Sequence, residues 1–390
     1  MTLRGDSVGY RYLQLGLRLG RHNDGVVDAY FGPPELSAAV AAEPLVDPRA
    51  LVAEAEALLN ELDDGWLHDQ VTGLHTFARV LAGESLAYGD ESRGYYGVPA
   101  RRTDESVFIA AHRRLDELLP GTGSVAERRE RWKDAMLVPG EAVERIATAV
   151  IAEARRQTSR LAELPQGEGI DLEVVHDEHW IAYNFYLGDL RGRVAVNVDL
   201  PMSAMELLRT ALHEAYPGHQ AERSIKEHRL VRGRRLVEET IVLVPTPQSL
   251  LTEGTAELAP YMLLDGGGGD ALAAIVRDAG IVFDLPLALE IERASEPCRW
   301  AEVNAAFMLH EDGAEEAEVH EYLQRWGLMG PDLARHLVRF MKDPTSRTYI
   351  MTYPAGFELC RSYVAGRPER FRRLLSEQLR LRDLVGATLE

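Results

Sequence analysis

The sequence predicts a mainly α-helical protein carrying one small β element, and three observations predict it. Apolar residues recur three and four apart through long stretches rich in Ala, Leu, Glu and Arg, the mark of amphipathic helices. Alternating β-branched and aromatic residues are confined to a single segment, 170–198. Hydrophobic residues make up 46% of 390 positions, enough for a sizeable core in one large domain or in several.

Taken in order, helices are expected over Arg49–Leu62 and Glu127–Leu164. Turn chemistry punctuates this half at Gly32-Pro33-Pro34, Pro120-Gly121-Thr122-Gly123 and Pro139-Gly140. From Ile170, the residues Leu172, Val174 and Val175 lead into the strand-like run His179 to Tyr186. Gly188 to Gly192 then turns the chain into the alternating run Arg193 to Val198, so a hairpin is expected over 172–198. Helical pattern resumes at Ser203, interrupted by Pro245-Thr246-Pro247 and by Gly266 to Gly269. That glycine run has neither a preceding strand nor a following Lys-Ser/Thr, so it reads as a turn between helices rather than a phosphate loop. An arginine-rich helix, Phe371 to Leu384, closes the pattern. The segment Pro165 to Gly169 is too short for a free linker, so one domain over 1–390 is expected, open at most to two lobes, 1–165 and 170–390.

Charge narrows the partners. Asp and Glu number 62 against 43 Lys and Arg, a net charge of −19, which repels phosphate backbones and anionic lipid, so neither nucleic acid nor a membrane is expected. Two cysteines, Cys298 and Cys360, cannot form a disulfide framework. With no long apolar run at Met1 to Gly20 or elsewhere, a cytoplasmic protein is expected. Self-association leaves no signature, and a homo-oligomer remains open.

The chemistry concentrates at His213-Glu214-Ala215-Tyr216-Pro217-Gly218-His219. Ser203 and Glu206 form a capping box, so a helix should run from Ala204 with Leu207, Leu208, Ala211 and Leu212 as its buried stripe and His213 near its end. In His-Glu-x-x-His zinc hydrolases two imidazoles one turn apart bind the metal, and the Glu takes a proton from the attacking water. Here the second histidine is six residues on, about 240° around a regular helix. Pro217 removes a backbone donor and Gly218 accepts unusual backbone angles, so the helix must break. The break either swings His219 back to a shared metal or simply ends the helix and leaves His219 as a capping or surface residue.

Three ligands and an open position suit catalytic zinc, and Glu253 supplies the carboxylate of a His₂Glu set, one Zn2+ per chain. Glu257, one turn on, is placed to orient a zinc-bound histidine, or to substitute as ligand if His219 does not reach. Both are otherwise ordinary helix-surface glutamates.

The string His213-Glu-Ala-Tyr-Pro-Gly-His219-Gln resembles the signature of the domain of unknown function 885 family, bacterial proteins regarded as metallopeptidase-like. Glu253-Gly-Thr-Ala-Glu257-Leu resembles its Glu-Gly-Trp-Ala-Leu-Tyr segment, with Thr255 in place of the aromatic residue. Phe307 to Ala317, Pro354 to Gly366 and, less specifically, Asp28 to Pro33 are also similar. The resemblance implies a mainly α, large helical zincin-like (gluzincin-type) metallopeptidase fold with a small hairpin or sheet beside the metal helix. It implies His213, His219 and Glu253 as ligands and Glu214 as general base. It also nominates His310, Tyr353 and Tyr363 as donors to the developing oxyanion and Arg361 for a substrate carboxylate. His176, His179, Trp180, Tyr183, Asn184 and Tyr186 on the first strand either line a substrate cleft or pack the hairpin. Three functions follow: a peptidase of small peptides, a hydrolase of a non-peptide metabolite amide, or a binding protein that keeps the fold without catalysis.

Overall fold

The computed structural model describes residues 7–178, 180–199, 201–265 and 267–386, and 66% of these residues are helical. The helices start where side chains replace missing backbone partners. Asp47 accepts the Arg49 amide at 2.8 Å ahead of the helix Pro48–Glu61, whose first position is a proline that needs no N–H partner. The expected run Glu127–Leu164 is two helices, Val125–Asp134 and Gly140–Leu161, divided at Pro139. The arginine-rich end also divides, into Pro368–Ser376 and Leu381–Gly386. There Asp383 accepts the Arg380 amide at 2.8 Å, and the Arg380 side chain turns back to Asp64 and Asp69.

Five strands are present among the described residues: β1 (Val27–Tyr30), β2 (Gly169–Val175), β3 (Ala182–Gly188), β4 (Arg191–Asn197) and β5 (Ile241–Leu243). β3 and β4 form the expected hairpin, turning through Asp189 and Leu190, both at positive φ. β2 does not continue into β3 but crosses to the far side of β4. It pairs there in parallel, Leu172 opposite Val194, so the sheet order is β2-β4-β3. β1 and β5 make a second, two-stranded sheet that the sequence reading did not anticipate, because four and three residues are too short to show a period.

The two largest apolar cores each draw on chain from both sides of 165–170. One joins the helices Val8–Gly20 and Trp66–Leu81 to Trp300–Phe307, and the other joins Gly140–Leu161 and β4 to Ala204–Glu214 and Leu272 to Leu289. The helix Pro247–Leu264 lies between them. It lends Leu250 to the first core, Leu263 and Leu264 to the second, and Leu251 and Leu258 to a third that contains Phe357 and Phe371. A helix buried on nearly every side has no polar face. Its two glutamates, Glu253 and Glu257, are therefore out of solvent and require partners inside the protein.

Close backbone approach holds this helix in place. Gly254 lies against Gly356 of the helix Thr352–Val364, and a Cβ on Gly254 would stand 2.2 Å from the Gly356 carbonyl oxygen. Among the described residues no helix is long and apolar enough to cross a membrane.

Candidate metal centre

The capping box forms as the sequence implies. The Ser203 hydroxyl accepts the Glu206 amide and the Glu206 carboxylate accepts the Ser203 amide at 2.9 Å, which starts the helix Ala204–Glu214. Leu207, Leu208, Ala211 and Leu212 are buried in the second core and carry His213 to the helix end. The chain then breaks through Ala215 to Gly218, with the Tyr216–Pro217 peptide cis, and a new helix, His219–Lys226, begins at the second histidine. The Gly218 amide donates to the Leu212 carbonyl at 3.1 Å, so the break is pulled tight against the end of the first helix. Only glycine fits there: a Cβ would stand 1.8 Å from the His213 carbonyl oxygen.

This turn brings His219 back to His213 rather than to the surface. Its Nε2 lies 3.1 Å from His213 Nε2, and each of these nitrogens is 3.5 Å from a Glu253 carboxylate oxygen. Ligand atoms on a tetrahedral ion at 2.0–2.1 Å are separated by about 3.3–3.4 Å, so one small cation fits among the three side chains. The donor chemistry agrees, two imidazoles and a carboxylate. Glu253 Oε2 is buried and accepts no hydrogen bond, while Tyr349 donates to Oε1 at 2.7 Å. The phenol thus occupies one oxygen and leaves the other facing His213.

Electrostatics favour a cation at this point. Burial works against charge on His213, but the Glu253, Glu214 and Glu257 carboxylates outweigh it and raise its pKa to about 9. Burial, the charge on His213 and nearby Arg223 instead hold His219 well below the ordinary histidine range, so its ring is neutral, and a metal ion would displace the proton that His213 holds. Glu257 Oε1 lies 3.7 Å from His213 Nδ1, and its other oxygen receives Arg299 at 2.7 Å and Arg209 at 3.1 Å. Burial would raise the Glu257 carboxyl, yet these two guanidiniums and His213 hold it far below the carboxylate range. It remains an anion beside His213 Nδ1.

Glu214 follows His213 directly, and burial above all moves its pKa up to about 7, against the pull of His213 and Arg223. A carboxylate poised there can take a proton and return it near neutral pH. Asn184 of β3 donates to the Glu214 carbonyl at 2.7 Å and fixes the helix end. Tyr183 donates to Asp28 of β1, which also receives Arg223 at 2.6 Å, and both Asp28 and Arg223 act on the Glu214 charge. Arg223 keeps Nε and Nη1 buried without a hydrogen-bond partner. Tyr353 packs edge-on to Tyr349 at 5.6 Å and lies in the field of Glu253, Glu257 and Glu214.

Other nominated residues are not brought to this cluster. His310 donates to the Met341 carbonyl at 2.9 Å and stacks on Tyr88 at 5.7 Å, so its ring is used in the first core. Tyr363 is buried in the third core, its hydroxyl accepting Arg373 at 3.0 Å. Tyr186 donates to Glu227 at 2.6 Å and meets Phe31 edge-on, a packing role. Trp180 is half-buried beside Tyr183 at 6.0 Å, His176 pairs with Asp199 at the surface, and His179 lies outside the described residues. Arg361 pairs with Glu296 on the rim of a separate cleft.

Asp28, Arg223 and Tyr349 are the site residues that sequence reasoning missed. Arg223 sits one turn after His219 and Tyr349 one turn before Tyr353, spacings a helical reading could have used.

No protein-family model matches the chain, and no curated protein matches it. Among solved structures it is similar to a candidate lipoprotein of Colwellia psychrerythraea, with a TM-score of 0.53 and 13% identity over 87% of this chain. It spans 62% of the length of that protein. It is also similar to a candidate lipoprotein of unknown function from Shewanella oneidensis, TM-score 0.53 and 12% identity, covering 98% of this chain and 73% of the other. A Pyrococcus furiosus carboxypeptidase aligns over 96% of this chain and 76% of its own at 13% identity, but with a TM-score of 0.44, too low to establish a shared fold. At these identities the two lipoproteins share its fold, and the likeness extends no further.

Proposed function

We propose that the chain is a zinc-dependent amide hydrolase, a peptidase acting on small peptides, with the zincin-type fold of the domain of unknown function 885 family. One observation carries the reading: His213 Nε2, His219 Nε2 and the Glu253 carboxylate converge at the spacing of three tetrahedral ligands, with Glu214 beside them. Zinc bound there would supply Lewis acidity, polarising the amide carbonyl and making water more acidic. Glu214 accepts the proton of the attacking water and delivers it to the leaving nitrogen. Tyr349 and Glu257 hold Glu253 and His213 in place from behind. Arg223 and Tyr353 are the donors for charge developing on the former carbonyl oxygen.

Metal analysis of the purified chain, followed by a screen of dipeptides, terminally blocked peptides and non-peptide amides, tests this. About one zinc per chain is expected, lost in His213→Ala. Glu214→Gln is expected to keep the metal and lower hydrolysis by about 10²–10⁴-fold. Metal content indifferent to His213→Ala would overturn the site. Activity confined to non-peptide amides would overturn the peptidase assignment alone.

A further inference from the structure

A cleft of about 350 Å³, within the size range of small-molecule sites, opens beside the helix Thr352–Val364. Four arginines line it against three acids, Asp104, Glu296 and Glu358, a positive balance on a chain of net charge −19. Its walls include two buried aromatic residues, Trp300 and Phe357, each covered by a guanidinium: Arg101 at 4.7 Å and Arg361 at 4.9 Å. Arg299 also lines the cleft, and its Nη1 binds Glu257, the carboxylate behind His213. The cleft and the metal cluster therefore share one ion-pair network.

The geometry points to a binding site for a carboxylate carried on an aromatic or apolar group, Val107 and Pro297 of the lining taking the group beside the covered rings and the rim arginines taking its charge. Arg101 and Arg361 each engage a carboxylate through one nitrogen, with Glu358 and Glu296, and leave the rest of their five N–H donors for a ligand. The Arg101–Glu358 pair is exposed on both sides, 64% and 42%, so an incoming carboxylate displaces it at small cost, while Arg361 stays on the more buried Glu296 and offers its remaining donors. As a feature of the substrate this rests on the hydrolase reading. As a binding site it does not.

Calorimetric titration of the full chain with N-acetylphenylalanine, its uncharged carboxamide and inorganic phosphate tests the proposal. Saturable binding of the carboxylate is expected, at least about tenfold tighter than the carboxamide or phosphate. The double variant Arg101→Ala/Arg361→Ala should weaken it by about tenfold or more while zinc content and circular dichroism stay as in the unmodified chain. Absent saturation, equal affinity for the carboxamide, equal affinity for phosphate, or unchanged affinity in the double variant would each overturn it. His213→Ala alters the metal cluster and leaves every cleft residue intact, so titrating it tests the cleft even if the zinc site fails.

Discussion

Replacing Gly218 with alanine tests how the two metal-binding helices are joined. The added Cβ would stand 1.8 Å from the His213 carbonyl oxygen and 2.6 Å from that of Leu212, both backbone atoms at a helix end, so no side chain can swing aside. Separation must grow from 1.8 Å to at least 3.0 Å, and the residue that moves with the turn is His219. Metal–ligand distances tolerate only about 0.2 Å, so a shift of this size removes His219 from the set. Zinc affinity, measured by competition with a chromogenic chelator, is expected to fall by about 100-fold or more, beyond the loss typical of an orienting residue. Stability should fall by about 1–3 kcal/mol, as for other overpacked sites. Gly140→Ala is the control: it opens a helix, its Cβ meets nothing within 4 Å, and zinc affinity should not change. Gly218→Ala binding zinc within about twofold of the unmodified chain would refute the reasoning.

Tyr349→Phe removes the bond that holds Glu253 and should weaken zinc by about tenfold. The same affinity in both proteins would mean that Glu253 is oriented by packing alone. Glu257→Gln leaves the part-buried Arg299 without this carboxylate and Arg209 with Glu292 alone, and should cost about 2 kcal/mol in urea unfolding, a figure that a loss below about 1 kcal/mol would contradict. Chelation should lower the melting temperature, since zinc at a thousandfold excess over its Kd contributes about 4 kcal/mol to the folded state. A melting curve indifferent to chelator would remove zinc from the account.

Local signals were legible where they act within one turn. Ser203 with Glu206 and the turn between Gly188 and Gly192 each appear where the local residues imply them. Period failed for the shortest elements, since β1 and β5 are too brief to alternate, whereas the helix Pro247–Leu264 was legible from the Pro and Gly runs that bound it although it has no polar face. His310 and Tyr363 misled because a histidine beside acids, or a tyrosine on a helix, looks the same whether its partner is a substrate or the Met341 carbonyl or Arg373.

The sequence by itself determined the helical class, the hairpin and the identity of the ligand-type residues His213, His219 and Glu253, since composition, period and motif are properties of neighbours along the chain. The tertiary structure alone decided that His219 turns back, because that depends on Gly218 meeting the His213 backbone in space. It also brought Asp28 and Tyr349 to residues 195 and 96 positions away, Arg223 and Glu253. No local rule encodes such pairings: they follow from burying one helix among three cores, where every charge left inside must find its partner across the fold.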